Sequence, residues 1–308
     1  MNDPLRTTGR GRWGRAMVAL AVSMLLCVAC VPSGPSAGPS GTGSATPSTR
    51  PTSSPSPTPA ATGLVWSDEF DGDLSQWYSD IAANQWTPQQ REAITEQPEN
   101  AYIDNGQLVI SLREQPWVDQ WGVEKDYTTA RMMTNEAFLY GRLEASIMAP
   151  IGAGYWSAFW LLGVGEWPDD GEIDIVELLS DTKDAYVTAH GVTRNGESWR
   201  SGTTAQTPTG APWGGAWHVY AVDWSPEAVV FEIDGTEVMR FTPEDVESDG
   251  TFWSFDTPAQ IILSLGLGAW EGFPGGGQPD ETTVFPAELR VDWVRVHGSQ
   301  VSLPAHSD

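Results

Sequence analysis

Short apolar segments, separated by glycine, proline and aspartate, run through most of this sequence. In the segment 140–148, Leu143, Ala145 and Ile147 fall on one face, which is the period of two expected for a strand. Asn105-Gly106 between two such segments predicts a hairpin with a type I′ turn. Only the residues after Pro243 resemble the start of a helix. The pattern predicts an all-β antiparallel sandwich.

The predicted strands are short and closely spaced, as in a sandwich. In order, they are 64–70, 101–104, 107–112, 128–133, 140–148, 155–162, 171–178, 185–190, 217–224, 229–234, 236–241, 260–267 and 288–296.

Composition divides the chain into three parts. Residues 1–30 hold four arginines followed by an apolar run, which predicts a secretory signal too short to span a membrane comfortably. Residues 31–62 are almost entirely Pro, Ser, Thr, Gly and Ala, which predicts a disordered linker. Residues 63–308 have the length and pattern of one large β domain.

The end of the signal resembles a bacterial lipoprotein cleavage box. It reads Leu-Cys-Val-Ala-Cys at 26–30, which makes Cys30 the lipidated residue, although Cys27 stands where leucine is usual. Both cysteines of the chain lie here, so a disulfide in the β domain is excluded. We expect an exported protein, either a cell-surface lipoprotein or a secreted one, whose only membrane contact is a lipid anchor.

The charge and the tryptophan content restrict the class of partner. The formal net charge is −25 at pH 7, which disfavours nucleic acids and anionic polymers. All but one of the 16 tryptophans lie after residue 63. Aromatic faces stack on sugar rings, so the excess points to a carbohydrate partner; the alternative is that many of these side chains fill the core.

An acidic segment carries the strongest functional signal. In a strand, Glu172 and Asp174 point to one face while Ile173 and Ile175 point to the other. A β-bulge after Asp174 would return Glu177 to the acidic face. Two glutamates held close together are what a retaining glycosidase needs. The alternatives are a solvated acidic strand or part of a calcium site.

With these segments in order, residues 64–297 resemble the family 16 glycoside hydrolases, the laminarinase-type β-glucanases with a concanavalin-like jelly roll and a concave substrate cleft. Gly-Glu-Ile-Asp-Ile-Val-Glu at 171–177 matches the bulged form of the family's active-site motif, and the segments 140–145, 156–162, 217–224 and 291–296 match family strands. The resemblance implies a retaining, endo-acting hydrolase of β-1,3 or mixed β-1,3/1,4 glucan. It makes Glu172 the nucleophile, Asp174 its partner and Glu177 the general acid/base.

The resemblance also implies residues that bind sugar and calcium. His190 is expected near the catalytic pair, with a structural role as the alternative. Sugar contacts are expected from Trp160, Trp167 and Trp270, with Arg91 and Asn100 as further candidates, whereas Trp156 is a candidate for the core. No cofactor is expected for catalysis. A structural calcium ion is implied at Glu69, Gly106 and Asp292, where the alternative for Asp292 is an exposed strand residue.

Departures from the family pattern leave the exact glucan open. Ser264 stands where β-1,3-glucanases commonly have asparagine, Ile94 stands where an aromatic residue is frequent, and the loop 268–275 is longer than usual. The inserted Val176 favours the laminarinase side over mixed-linkage enzymes. A galactan hydrolase shares the bulged motif, but a sulfated substrate would meet an acidic surface. A lectin-like module or a calcium-dependent adhesion domain would not need paired glutamates. A monomer is expected.

Overall fold

The structure is a computed structural model that describes residues 63–82, 91–179, 183–248, 251–268 and 278–302. The predictions for the signal, the linker, Cys30 and Trp270 lie outside the described residues. No helix in the described part of the chain is long and apolar enough to cross a membrane.

The described residues form strands and one short helix. In chain order these are β1 (Leu64–Asp68), β2 (Trp77–Ser79), β3 (Glu92–Ile94), β4 (Ala101–Asp104), β5 (Gln107–Val118), β6 (Glu124–Thr129), β7 (Arg131–Leu139), β8 (Gly141–Met148), β9 (Tyr155–Gly163), β10 (Glu172–Leu179), β11 (Asp184–Val192), β12 (Ser198–Gln206), β13 (His218–Trp224), β14 (Val229–Ile233), β15 (Thr236–Phe241), α1 (Pro243–Ser248), β16 (Ala259–Leu267), β17 (Ala287–His297) and β18 (Gln300–Ser302).

The strands make two sheets, which confirms the predicted sandwich. The first sheet has the order β15-β14-β13-β8-β17-β5-β6-β3, with β1 beside β17 and β4 beside β5. The second has the order β12-β11-β10-β9-β16-β7-β18, with β2 beside β7. The described pairs are antiparallel except for β3 with β6, which is parallel.

The main core contains buried side chains from both sheets. On β9 the side chains alternate, so Phe159 and Leu161 join this core while Trp160 and Leu162 do not. The latter two belong to a smaller apolar cluster with Met133, Ala158 and Ile262, all on the opposite face of the second sheet. We call that opposite face the outer face. It therefore has an apolar floor of its own.

Most predicted strands are confirmed, and the differences have local causes. The hairpin at 101–112 turns through Asn105 and Gly106, whose φ angles of 54° and 74° fit the predicted type I′ turn. The helix after Pro243 is confirmed. The single strand at 128–133 is wrong, because the chain leaves β6 and enters β7 of the other sheet at Ala130. Strand β12 was missed because its polar, glycine-containing sequence gives little strand signal.

Candidate active site

Strand β10 carries the predicted bulge. Across β9, Asp174 is opposite Trp160 and Val176 is opposite Phe159, which leaves Ile175 without a partner. On the β11 side the register also shifts between Asp174 and Glu177. One strand therefore has one residue more than its neighbours, and the prediction of a bulge after Asp174 is confirmed.

The bulge changes which residues face the core. Before it, odd-numbered side chains point inward; after it, even-numbered ones do. The inward residues that belong to the main core are Ile173, Ile175, Val176 and Leu178. The three acids Glu172, Asp174 and Glu177 share the outer face, where Asp174 and Glu177 are only 4% and 7% exposed. A carboxylate this buried is costly unless neighbouring groups compensate it.

Each of the two glutamates accepts a hydrogen bond from the indole N–H of one tryptophan. The indole Nε1 of Trp167 donates to Glu172 Oε2 over 2.7 Å. The indole Nε1 of Trp156 donates to Glu177 Oε1 over 3.0 Å. Trp156 extends from β9, whereas Trp167 lies between β9 and β10 and is 46% exposed.

Asp174 contacts both His190 and Glu172. His190 Nε2 lies 3.1 Å from Asp174 Oδ2, a distance at which a protonated imidazole would form an ion pair. The Asp174 carboxyl also lies close enough to Glu172 to affect its pKa, and a proton shared between them would join the two groups. One donor atom from each of the three residues falls within 4.8 Å of the others, a grouping that also suits a metal ion.

Burial raises the pKa of all three carboxyl groups. It lifts the pKa of Glu172 to about 8, and the Asp174 charge adds to the rise while the His190 charge opposes it. Burial also raises the pKa of Asp174, and it raises that of Glu177 well above the ordinary value, again with the Asp174 charge adding to the rise. Because like charges this close cannot all ionise, the site retains protons near neutral pH. Such a site is able to donate a proton from one glutamate while another acts as a nucleophile.

On the outer face, the side chains next to Glu177 are small, whereas those next to Asp174 are large. Ala158 is opposite Glu177, and Ser264 is opposite Ala158, so two small side chains adjoin the acid. Next to them, the Arg131 guanidinium carbon lies 4.4 Å from the centre of the Trp160 ring. Trp160 is 8% exposed, so nearly all of its ring is covered and it does not offer an open face on which a sugar could stack.

The prediction that Asn100 contacts sugar is wrong, because this residue is fully buried. Its Nδ2 donates to the Ser111 carbonyl over 2.9 Å and to Thr128 Oγ1 over 3.1 Å. Its Oδ1 accepts from Thr95 Oγ1 over 2.6 Å. The amide therefore joins three segments of the fold and has no face towards the outer surface.

The remaining sugar-binding predictions differ in support. Trp167 is exposed next to Glu172, which suits a sugar contact. Arg91 is exposed and lies beside the end of β16. A Cβ atom placed on Gly268, just after that strand, would be 3.6 Å from the Arg91 Nε. Trp270 follows in the segment outside the described residues.

Two residues at the site were missed. The assignment of Trp156 to the core is wrong. Trp156 and Trp160 are four residues apart on β9, and residues four apart in a strand share a face. That signal was available in the sequence. Arg131 gave no such signal, since nothing in its segment marks a buried guanidinium; burial lowers its pKa to about 10.

The predicted calcium residues show a mixed fit. The Glu69 carboxylate is held by Arg295 through two hydrogen bonds of 2.9 and 2.8 Å, so its side chain is committed elsewhere. Asp292 is exposed, and Gly106 lies in the turn next to the Asp71 carboxylate. Backbone carbonyl oxygens of Glu69 and Gly106, with the Asp292 carboxylate, remain an all-oxygen set of the type that calcium takes. The calcium ion stays a prediction.

An antiparallel sandwich that places two glutamates and an aspartate on the outer face of one central strand has the framework and the paired acids of a retaining carbohydrate hydrolase. Comparison with known proteins agrees. Residues 88–295 match the sequence profile of the family "Glycosyl hydrolases family 16". The chain belongs to this family and is a glycoside hydrolase.

Individual relatives are similar over most of the β domain. The chain is 35% identical over 253 residues to a "Beta-glucanase" of Rhodothermus marinus, which covers 76% of this chain and 84% of that protein. The laminarinase catalytic domain from Thermotoga maritima superposes with a TM-score of 0.68 at 35% identity, over 76% of this chain and 97% of that one. The endo-beta-1,3-glucanase from Pyrococcus furiosus superposes with a TM-score of 0.67 at 34% identity, over 78% and 95%.

Proposed function

We propose that the protein is an endo-acting β-glucanase that hydrolyses β-1,3 or mixed β-1,3/1,4 glucan with retention of configuration. The similarity to a β-glucanase, a laminarinase and an endo-β-1,3-glucanase supports the substrate class. The observation that carries the mechanism is the bulge, because it brings Glu177 onto the face that Glu172 already occupies. Among the described residues, the only other glutamate that is buried like Glu177 is Glu92 on β3.

In the first step, a Glu172 carboxylate oxygen attacks the anomeric carbon and forms a glycosyl ester. Glu177 gives its proton to the glycosidic oxygen, and the remaining glucan leaves as an alcohol. In the second step, Glu177 takes a proton from water, the water oxygen attacks the same carbon, and Glu172 leaves. Two inversions at one carbon give net retention.

The charges around Glu177 support this exchange of roles. The negative charge of Glu172 raises the pKa of Glu177, which helps it to hold a proton before the first step. Esterification removes that charge, so the pKa of Glu177 falls and the group becomes able to accept a proton. The His190 charge lowers the pKa of Glu172 and so opposes the rise that burial and the Asp174 charge cause. Asp174 shares a proton with Glu172 and fixes its orientation.

The test is a product assay on the exported chain, residues 31–308, with laminarin, lichenan, carboxymethyl-cellulose and agarose. We expect oligosaccharides from laminarin or lichenan, with the β configuration in the first product seen by proton NMR. Glu172→Gln should abolish release, whereas Glu166→Gln, an equal charge change at an exposed neighbour, should not. Products from agarose alone would overturn the substrate. Binding without products from any polymer would indicate a lectin-like module.

We also propose that the protein is exported and held at the cell surface through a lipid on Cys30, with residues 31–62 as the linker. The basic and apolar leader and its terminal cysteine support this. Mass spectrometry of the mature N-terminus should show a diacylglyceryl cysteine, and Cys30→Ser should release the protein into the medium. An unmodified N-terminus elsewhere in the chain would contradict the anchor.

A further inference from the structure

We propose that Trp156 is a positioning residue for Glu177: its indole N–H selects which carboxyl oxygen delivers the proton and keeps this group able to change protonation state. The inference rests on the proposed function, because it presumes that Glu177 is the acid/base.

The contact comes from strand geometry. Across the β9–β10 ladder, Ala158 is opposite Glu177 and Trp156 is opposite Leu179, so Trp156 lies next to Glu177 along the outer face. Its Nε1 reaches Glu177 Oε1 at 3.0 Å. Both side chains extend from paired strands in the middle of a sheet, which holds the distance more firmly than a loop would.

The contact distinguishes the two oxygens of Glu177. An indole N–H is a donor only, so Oε1 must accept in every protonation state of the carboxyl. When Glu177 is protonated, the contact therefore favours the proton on Oε2, because the carbonyl oxygen is a better acceptor than the hydroxyl oxygen. Proton transfer to the glycosidic oxygen then leaves from Oε2, and the O–H bond that breaks there is replaced by an O–H bond on the leaving alcohol. The residues paired next to Glu177 across the sheet, Ala158 and Ser264, have small side chains.

The same N–H also adjusts how tightly Glu177 holds its proton. Burial and the Asp174 charge raise the pKa of Glu177, and the hydrogen bond from Trp156 lowers it by stabilising the ionised form. Without the donor, Glu177 becomes a weaker acid in the first step. Glu177 also tends to keep its proton while the glycosyl ester is present, although the second step needs Glu177 to be ionised as a base. The second step should therefore suffer most near neutral pH.

The experiment compares Trp156→Phe, which removes the donor and keeps an aromatic ring, with Trp213→Phe. Trp213 is buried, and its Nε1 donates to the Ala205 carbonyl over 2.9 Å, so it controls for the loss of one indole hydrogen bond. The pH profile of kcat/KM on laminarin reports the free enzyme. We expect its alkaline limb to move up by about one pH unit in Trp156→Phe, and to stay in place in Trp213→Phe whatever the change in Tm.

A second substrate separates the two chemical steps. A dinitrophenyl β-laminaribioside has a leaving group that needs no proton, so its first step should be unaffected in Trp156→Phe. The second step should slow about tenfold at neutral pH, which appears as a burst of dinitrophenol. Trp156→His, which restores a ring N–H, should move the alkaline limb back towards the wild-type position. If Trp156→Phe does not fold, Trp156→Leu replaces it as the donor-free variant.

An unmoved alkaline limb and no burst in a folded donor-free variant would overturn the role of Trp156. Glu177→Ala distinguishes that failure from a failure of the proposed function. With the dinitrophenyl substrate and added azide, this variant should regain turnover and yield a β-glycosyl azide. Absence of rescue would remove Glu177 as the acid/base, and the role of Trp156 with it.

Discussion

Glu92 is a buried acid outside the proposed catalytic group, and its replacement should stabilise the protein in a pH-dependent way. It lies on β3, is 6% exposed, and its Oε2 has no hydrogen-bond partner among the described residues. Burial raises the pKa of its carboxyl to about 7, although backbone N–H donors, including Leu267, and the Lys125 charge oppose the rise.

The size of the effect follows from linkage. A rise from 4.5 to about 7 corresponds to about 3 kcal/mol, since one unit of pKa equals about 1.4 kcal/mol. The folded state keeps the Glu92 proton between these two values while the unfolded state loses it. The contribution of Glu92 to the free energy of unfolding is therefore complete below pH 4.5, falls as the pH rises, and is lost above about pH 7.

Glu92→Gln has no proton to lose, so its stability should not carry this dependence. We expect the variant to exceed the wild type by up to about 3 kcal/mol at pH 8 and by little or nothing at pH 4. Urea unfolding at pH 4, 6 and 8 measures the difference, with the exposed Glu96→Gln as the matched control. A gain that is equal at all three values, or that also appears in Glu96→Gln, would refute the reasoning.

Three further outcomes are expected. Asn100→Ala should lose about 2–4 kcal/mol of unfolding free energy, because it orphans buried partners, while KM for glucan stays constant; a raised KM at constant Tm would contradict its structural role. A chelator should lower Tm if calcium is bound, and Asp292→Asn should remove that response; a Tm insensitive to calcium and chelator would argue against the ion. Arg131→Lys should cost about 1–3 kcal/mol by losing the stacking on Trp160, as thermal unfolding would measure; an unchanged Tm would show that the stacking is not stabilising.

The site was predictable where local alternation determines it. Two adjacent apolar residues, Ile175 and Val176, interrupt a pattern that otherwise alternates, and only an extra residue in the strand keeps Glu177 out of the core. The sandwich was predictable for the same reason, since most strands alternate and the turns contain glycine or aspartate.

The errors arose where packing between distant segments decides. Asn100 looks like a polar loop residue in the sequence, and its burial depends on partners as far away as Thr128. The junction at Ala130 has no turn residue on either side, so nothing local indicates that the chain changes sheets there. Arg131 is buried only because Trp160 and Asp80 meet it from other parts of the chain.

Because Ile175 is unpaired, two different sequence spacings can place the same three acids on one face of the strand. With the bulge, the acids are separated as Glu-x-Asp-x-x-Glu; a regular strand would present the same three side chains as Glu-x-Asp-x-Glu. Deleting Ile175 or Val176 would remove the bulge and leave the later side chains on their present faces, with Glu177 outward and Leu178 inward. A length change of one residue is therefore absorbed at this position, whereas elsewhere in the strand it would move every later side chain to the other face. The spacing of the acids in a sequence is meaningful only together with the phase of its strand.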